Sequence, residues 1–117
     1  MQKDFHSQLK LYINDYVHCV YDVTEKFPKS ELFGTTSQFR RAALSVMLNY
    51  VEGYARGRTT YVKSFLEIAY GSLKESEYLI DFCYERKYMN KAECDRLKKL
   101  ADTIGVMLFG ALAKLRE

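Results

Sequence analysis

Residues 37–53 read SQFRRAALSVMLNYVEG, and the spacing of their side chains decides the fold. At about 100° per residue, Phe39, Ala43, Val46, Met47, Tyr50 and the following Tyr54 fall on one arc of a helix. Leu44, Leu48 and Val51 fall on an adjacent arc. The two arcs span roughly 200°, broken by Arg40, whereas a helix on the surface of a core needs only about 100°. A third stripe is polar throughout: Gln38, Arg41, Ser45, Asn49 and Glu52, within about 80° of the wheel. The segment is therefore a helix with more apolar surface than one core requires. Self-association is the natural cover for the surplus, since soluble oligomers are mostly closed and symmetric. The other reading packs Leu44 and Leu48 under the connection KSELFG just upstream.

Three more periodic segments surround it. From about Asp4 to Phe27, the residues Phe5, Leu9, Tyr12, Tyr16, Val20, Val23 and Phe27 repeat at helical spacing, and Pro28 ends the run. The segment quoted above extends from about Ser37 to Tyr54. Thr35, Thr36 or Ser37 is expected to cap its start, and Gly53 and Gly57 to bracket its end. A third helix is expected from Thr59 or Thr60 to near Lys87. Phe65, Ala69, Ser72, Ser76, Leu79 and Cys83 form its inward stripe, and Gly71 is read as a site of close packing. A fourth begins at Asn90, where Asn90 and Glu93 have capping-box spacing. Its seam is Leu97, Leu100, Ile104, Leu108, Ala111 and Leu115. Four helices with short connections predict one all-α domain over residues 1–117, an antiparallel up-down-up-down four-helix bundle. One Pro and six Gly in 117 residues argue against a turn-rich β fold.

No apolar run reaches the ~18–20 residues of a membrane span. The start, MQKDFHSQLK, lacks the apolar stretch of a signal peptide. The three cysteines, Cys19, Cys83 and Cys94, form no C-x-x-C pair; free thiols in a core and a cytoplasmic location are expected. No cofactor or metal is expected. His6 and His18 are too far apart to share an ion, and no phosphate-binding loop or hydrolase motif occurs. Net charge is +3. Between Thr35 and Lys63, Arg40, Arg41, Arg56, Arg58 and Lys63 stand against Glu52 alone, so the positive charge concentrates in that stretch.

With FPKSELFG before it and FLEIAYGSLKES after it, the quoted segment resembles the Q-x-x-R-A-x-x-S-x-x-x-N-x-x-E-G signature of the bacterial 23S rRNA intervening-sequence proteins. The likeness extends from about Phe27 to Tyr88, with Phe33 and Thr35 departing from the usual residues. It implies a four-helix bundle assembled as a ring-like homopentamer. A related branch holds the accessory variability protein of diversity-generating retroelements, a basic pentameric barrel that binds nucleic acid and a reverse transcriptase. The hallmark residues carried over are Gln38, Arg41, Ser45, Asn49, Glu52 and Glu75, with Gly53, Gly71 and Ser72.

Two functional readings follow, neither enzymatic. The first is a nucleic-acid-binding or ribonucleoprotein-associated assembly, with RNA or DNA held by Arg40, Arg56, Arg58 and Lys63 and with Tyr54 and Tyr61 able to stack on bases. The second is a protein–protein scaffold or adaptor with no direct nucleic-acid contact, motivated by the surplus apolar face and ten tyrosines. The stripe Gln38, Arg41, Ser45, Asn49, Glu52 is expected to form a buried network against a neighbouring helix or subunit, the other readings being a ligand or RNA site along it or a solvated face; Arg41 is a candidate partner of Glu75.

Overall fold

A computed structural model describes residues 2–116. Its elements are α1 (Gln2–Thr24), a single 3-10 turn (Lys29–Glu31), α2 (Thr35–Arg56), α3 (Thr59–Glu85) and α4 (Lys91–Leu115). No strand occurs among the described residues. The molecule measures 43 × 25 × 19 Å. α1 packs against α2 and α4, and α3 packs against the same two, so α2 and α4 occupy opposite corners.

The helix ends have identifiable causes. α1 stops at Thr24, short of the expected Phe27. The Thr24 hydroxyl donates back to the Val20 carbonyl at 2.7 Å, and Phe27 turns inward to lie 5.4 Å from the Tyr88 ring. Contrary to the sequence expectation, none of Thr35, Thr36 and Ser37 caps α2. Gly34 holds the cap position without a side chain, and the Thr35 N–H donates to Glu31 Oε1 at 3.0 Å. Hydrogen bonding to Thr35, from its side chain first and then from this N–H, holds the Glu31 carboxyl below the usual carboxylate range. Gly57 ends α2 in the left-handed region at φ 77°, where a side chain would be strained. Gly53 has a different role from the bracketing one expected. It is buried within α2, and a Cβ there would lie 2.9 Å from Phe65 Cβ, so Gly53 lets α3 pack close against α2. α4 begins with the expected capping box. The Asn90 side chain accepts from the Glu93 N–H, and Glu93 accepts from the Asn90 N–H.

The core runs the length of the molecule. Leu9, Ile13, Tyr16, Phe39, Val46, Leu66, Leu73, Ile80, Leu97, Ile104 and Leu108 are fully enclosed. On α1 the inward position belongs to Ile13, while Tyr12, expected inside, is exposed. Tyr16 reaches diagonally across the core to α3, where its hydroxyl and that of Ser76 lie 2.7 Å apart. Ser76 also donates to the Leu73 carbonyl, so neither buried hydroxyl is left alone. Burial pushes the Tyr16 phenol well above its ordinary pKa.

Candidate functional site

The polar stripe of α2 lies at its contact with α3. Ser45 and Ser72 are small, so the two backbones come close and their hydroxyls meet at 2.8 Å. Asn49 Nδ2 donates to both the Ser45 carbonyl and the Ser45 hydroxyl at 2.9 Å. This half-buried trio is as much of the expected network as closes within the chain. Gln38, Arg41 and Glu75 are exposed, and they line a groove of about 530 Å³ with Phe33, Ser37 and Ser72. Among the described residues no ion pair joins Arg41 to Glu75, contrary to expectation. Both charges reach water, so nothing forces them together. Glu52 turns away and pairs with Arg56 one turn on, at 2.8 Å. Phe33, on the groove's rim, is 93% exposed.

The basic residues divide into two places. Arg40 sits at the start of α2. Its Nε donates to Thr24 Oγ1 at 2.7 Å and its guanidinium lies 4.8 Å from the Tyr21 ring centre, fastening α2 to the end of α1. Arg56 lies 16 positions further on, about 24 Å along the helix at ~1.5 Å per residue. Arg40 therefore does not join Arg56, Arg58 and Lys63, which flank the turn from α2 to α3. Arg56 lies over the rings of Tyr61 and Phe65 at 5.7 and 5.3 Å. Arg58 holds the extended cap position before α3 and is exposed.

The sequence reading missed two further cations at this end. Arg116 pairs with Glu67 of α3 at 3.2 Å. Lys114 lines a cavity of about 480 Å³ with Phe5, His6, Tyr54, Ala111 and Leu115. They lie 50 or more positions from Arg56, so only packing brings them there. Tyr54 is not a free stacking platform. Its ring centre lies 4.6 Å from that of His6 and 5.0 Å from that of Tyr50. His6 Nδ1 is hydrogen-bonded to the Tyr50 hydroxyl. Desolvation, then the nearby Lys10, lowers the His6 pKa.

Apolar surface remains open on two helices. The connection before α2 leaves Leu44, Leu48 and Val51 exposed, Leu48 by 57%, so these residues do not pack under KSELFG. On α4, Val106 and Phe109 are 74% and 54% exposed. Gly71, expected at a close contact, faces open space. The three cysteines are free and buried; burial pushes the Cys83 thiol up to about 12, far from a nucleophile's range. Among the described residues, no group of three or more His, Cys, Asp or Glu side chains is placed to hold a metal ion. Among the described residues, no helix is long and apolar enough to cross a membrane.

The family model described as 23S rRNA-intervening sequence protein matches residues 13–110. A crystal structure of a protein of unknown function from the S23 ribosomal protein family of Bacteroides thetaiotaomicron superposes with a TM-score of 0.85. The likeness covers 93% of this chain and 98% of that one at 14% identity, and so speaks to the fold alone. No curated protein sequence matches the chain.

Proposed function

The chain belongs to the 23S rRNA-intervening sequence protein family, and from that premise we propose a non-enzymatic, ring-forming protein that binds RNA at the basic end of its helices. The proposed assembly is a homopentamer of up-down-up-down bundles working in the cytoplasm. Contacts that support this course are Arg40 with Thr24, Lys26 with Glu93, and Tyr54 with His6. They put the starts of α2 and α4 beside the end of α1, and the end of α2 beside the start of α1. The three buried, free cysteines suit a reducing compartment.

The observation that carries the RNA reading is the gathering of Arg56, Arg58 and Lys63 with Lys114 and Arg116 at one end, from α2, α3 and α4. Two of these five are paired, to Glu52 and Glu67, on the surface, where such pairs are weak and exchange readily for phosphate. A ring repeats the cluster around one rim, so a single strand would meet it several times. Arg40, at the other end, has a structural role in this reading.

The test is fluorescence anisotropy of labelled single-stranded RNA across a salt series, with Arg58→Glu and Lys63→Glu together as control. Binding should weaken steeply with salt. The double variant should keep its fold and lose affinity at least tenfold. No binding at low salt, or equal affinity in the variant, contradicts the reading. The scaffold reading is the alternative. The nearly bare Phe33, beside a half-exposed Leu32, favours it as an anchor for a protein partner.

A further inference from the structure

The open apolar surfaces on α2 and α4 are complementary in charge and matched in height. On α2 the outward ridge is Arg41, Leu44, Leu48, Val51; on α4 it is Asp102, Val106, Phe109, Ala113, all exposed. Each ridge starts with a charge and continues apolar, and the two charges are opposite. Neither Arg41 nor Asp102 has an ion-pair partner within the chain among the described residues. α2 and α4 share no contact and sit at opposite corners. One chain's ridges therefore point away from each other, and can meet only between copies.

Their heights can be compared through α3. Ser45 bonds Ser72, and a Cβ on Gly105 would lie 3.5 Å from Leu73, so Ser45 and Gly105 are level. Tyr54 and Lys114 line one cavity at the far end, so they are level too. Both helices run in the same direction. Counted from these markers at ~1.5 Å per residue, Arg41 with Asp102, Leu44 with Val106, Leu48 with Phe109, and Val51 with Ala113 each lie within about 3 Å of the same height.

The geometry points to a head-to-tail seam in which the α2 ridge of one copy seats on the α4 ridge of the next, Arg41 pairing with Asp102. The seam rests on the self-association reading above and gives it two named faces. Two different faces exclude a two-fold dimer through this contact, because a two-fold pairs a patch with itself. The absence of a step in height keeps successive copies in one plane, as a closed ring requires and a climbing filament does not.

Arg41→Cys combined with Asp102→Cys tests the contact directly, because the native cysteines are buried. Mild oxidation should give a ladder of covalent oligomers on a non-reducing gel, and each single variant should give none. Leu48→Asp and Phe109→Asp change exposed positions and should keep the fold by circular dichroism. Each alone should reduce the mass to one chain. Mixed in equal amounts they should form a two-chain species, since each keeps the face the other lacks. An unchanged mass in either variant, cross-linking by Arg41→Cys alone, no ladder from the double variant, or no species in the mixture overturns the seam while self-association stands. A single-chain mass for the wild type overturns the self-association reading itself.

Discussion

Two hydroxyl pairs tie α3 to other helices, one across the core to α1 and one to the adjacent α2, and they sit in opposite environments. Tyr16 and Ser76 meet at 2.7 Å in the core, with Leu73 accepting the second bond. Ser45 and Ser72 meet at 2.8 Å beside an open groove, among exposed Gln38, Arg41 and Glu75. The inner pair is closed: every polar atom has its partner within the chain. The outer trio stops short, and charges and apolar residues continue past it into solvent. The inner pair thus serves the stability of one chain, while among the described residues the outer Arg41 and Glu75 make no ion pair within it. Gly53 and Gly71 repeat the contrast, one pressed against Phe65 and the other facing open space.

Substitutions can sharpen or break that contrast. The largest change should come from Gly53→Ala. Its Cβ would meet Phe65 Cβ at 2.9 Å, and overpacking of this kind costs roughly 1–3 kcal/mol; urea unfolding reads it as a lower midpoint. Next is Ser76→Ala, which leaves the Tyr16 hydroxyl buried and alone at a cost of about 1–2 kcal/mol. Ser72→Ala, the outer counterpart, should cost less than about 0.5 kcal/mol in the single chain, because water reaches the site. Equal losses at Ser76 and Ser72 would end the distinction between a closed and an open pair. Gly71→Ala should stabilise by about 0.5–1 kcal/mol through helix propensity alone. A loss there would mean that something packs on Gly71.

The smallest effect is a pH dependence. The hydrogen bond from Thr35 holds the Glu31 carboxyl below its ordinary pKa. A depressed folded pKa contributes stability that is present above the unfolded carboxylate value and is lost as pH falls through the folded one. Glu31→Gln should therefore lower stability slightly at neutral pH and flatten the acid limb of the stability–pH curve. An unchanged acid limb would remove Glu31 as the cap of α2.

Much of the fold is legible in local spacing. The Asn90–Glu93 box is local, so the start of α4 can be read directly. Pro28 stops α1 nearby, and the helix itself ends at Thr24, four residues before it. The cap of α2 is not legible, because Glu31 belongs to the preceding turn and reaches forward from it. Gly53 is ambiguous for a similar reason: a glycine near a helix end suits termination and close packing alike, and only α3 decides. In the site, the surplus apolar arc Leu44, Leu48, Val51 can be read from the wheel and is exposed as the wheel requires. Its counterpart, Val106 and Phe109, was hidden because the inward seam of α4 accounts for a full apolar face without them. The basic cluster misled at Arg40, since proximity in sequence along a helix becomes distance in space. Lys114 and Arg116 join the cluster only through packing.

In the proposed assembly the outer face of α2 is closed by another copy of the chain. Its most direct test is the mass of the wild-type protein in solution, by sedimentation equilibrium at micromolar concentration. The proposed homopentamer should give a single species of five chain masses, unchanged on tenfold dilution. A species of one chain mass would contradict it.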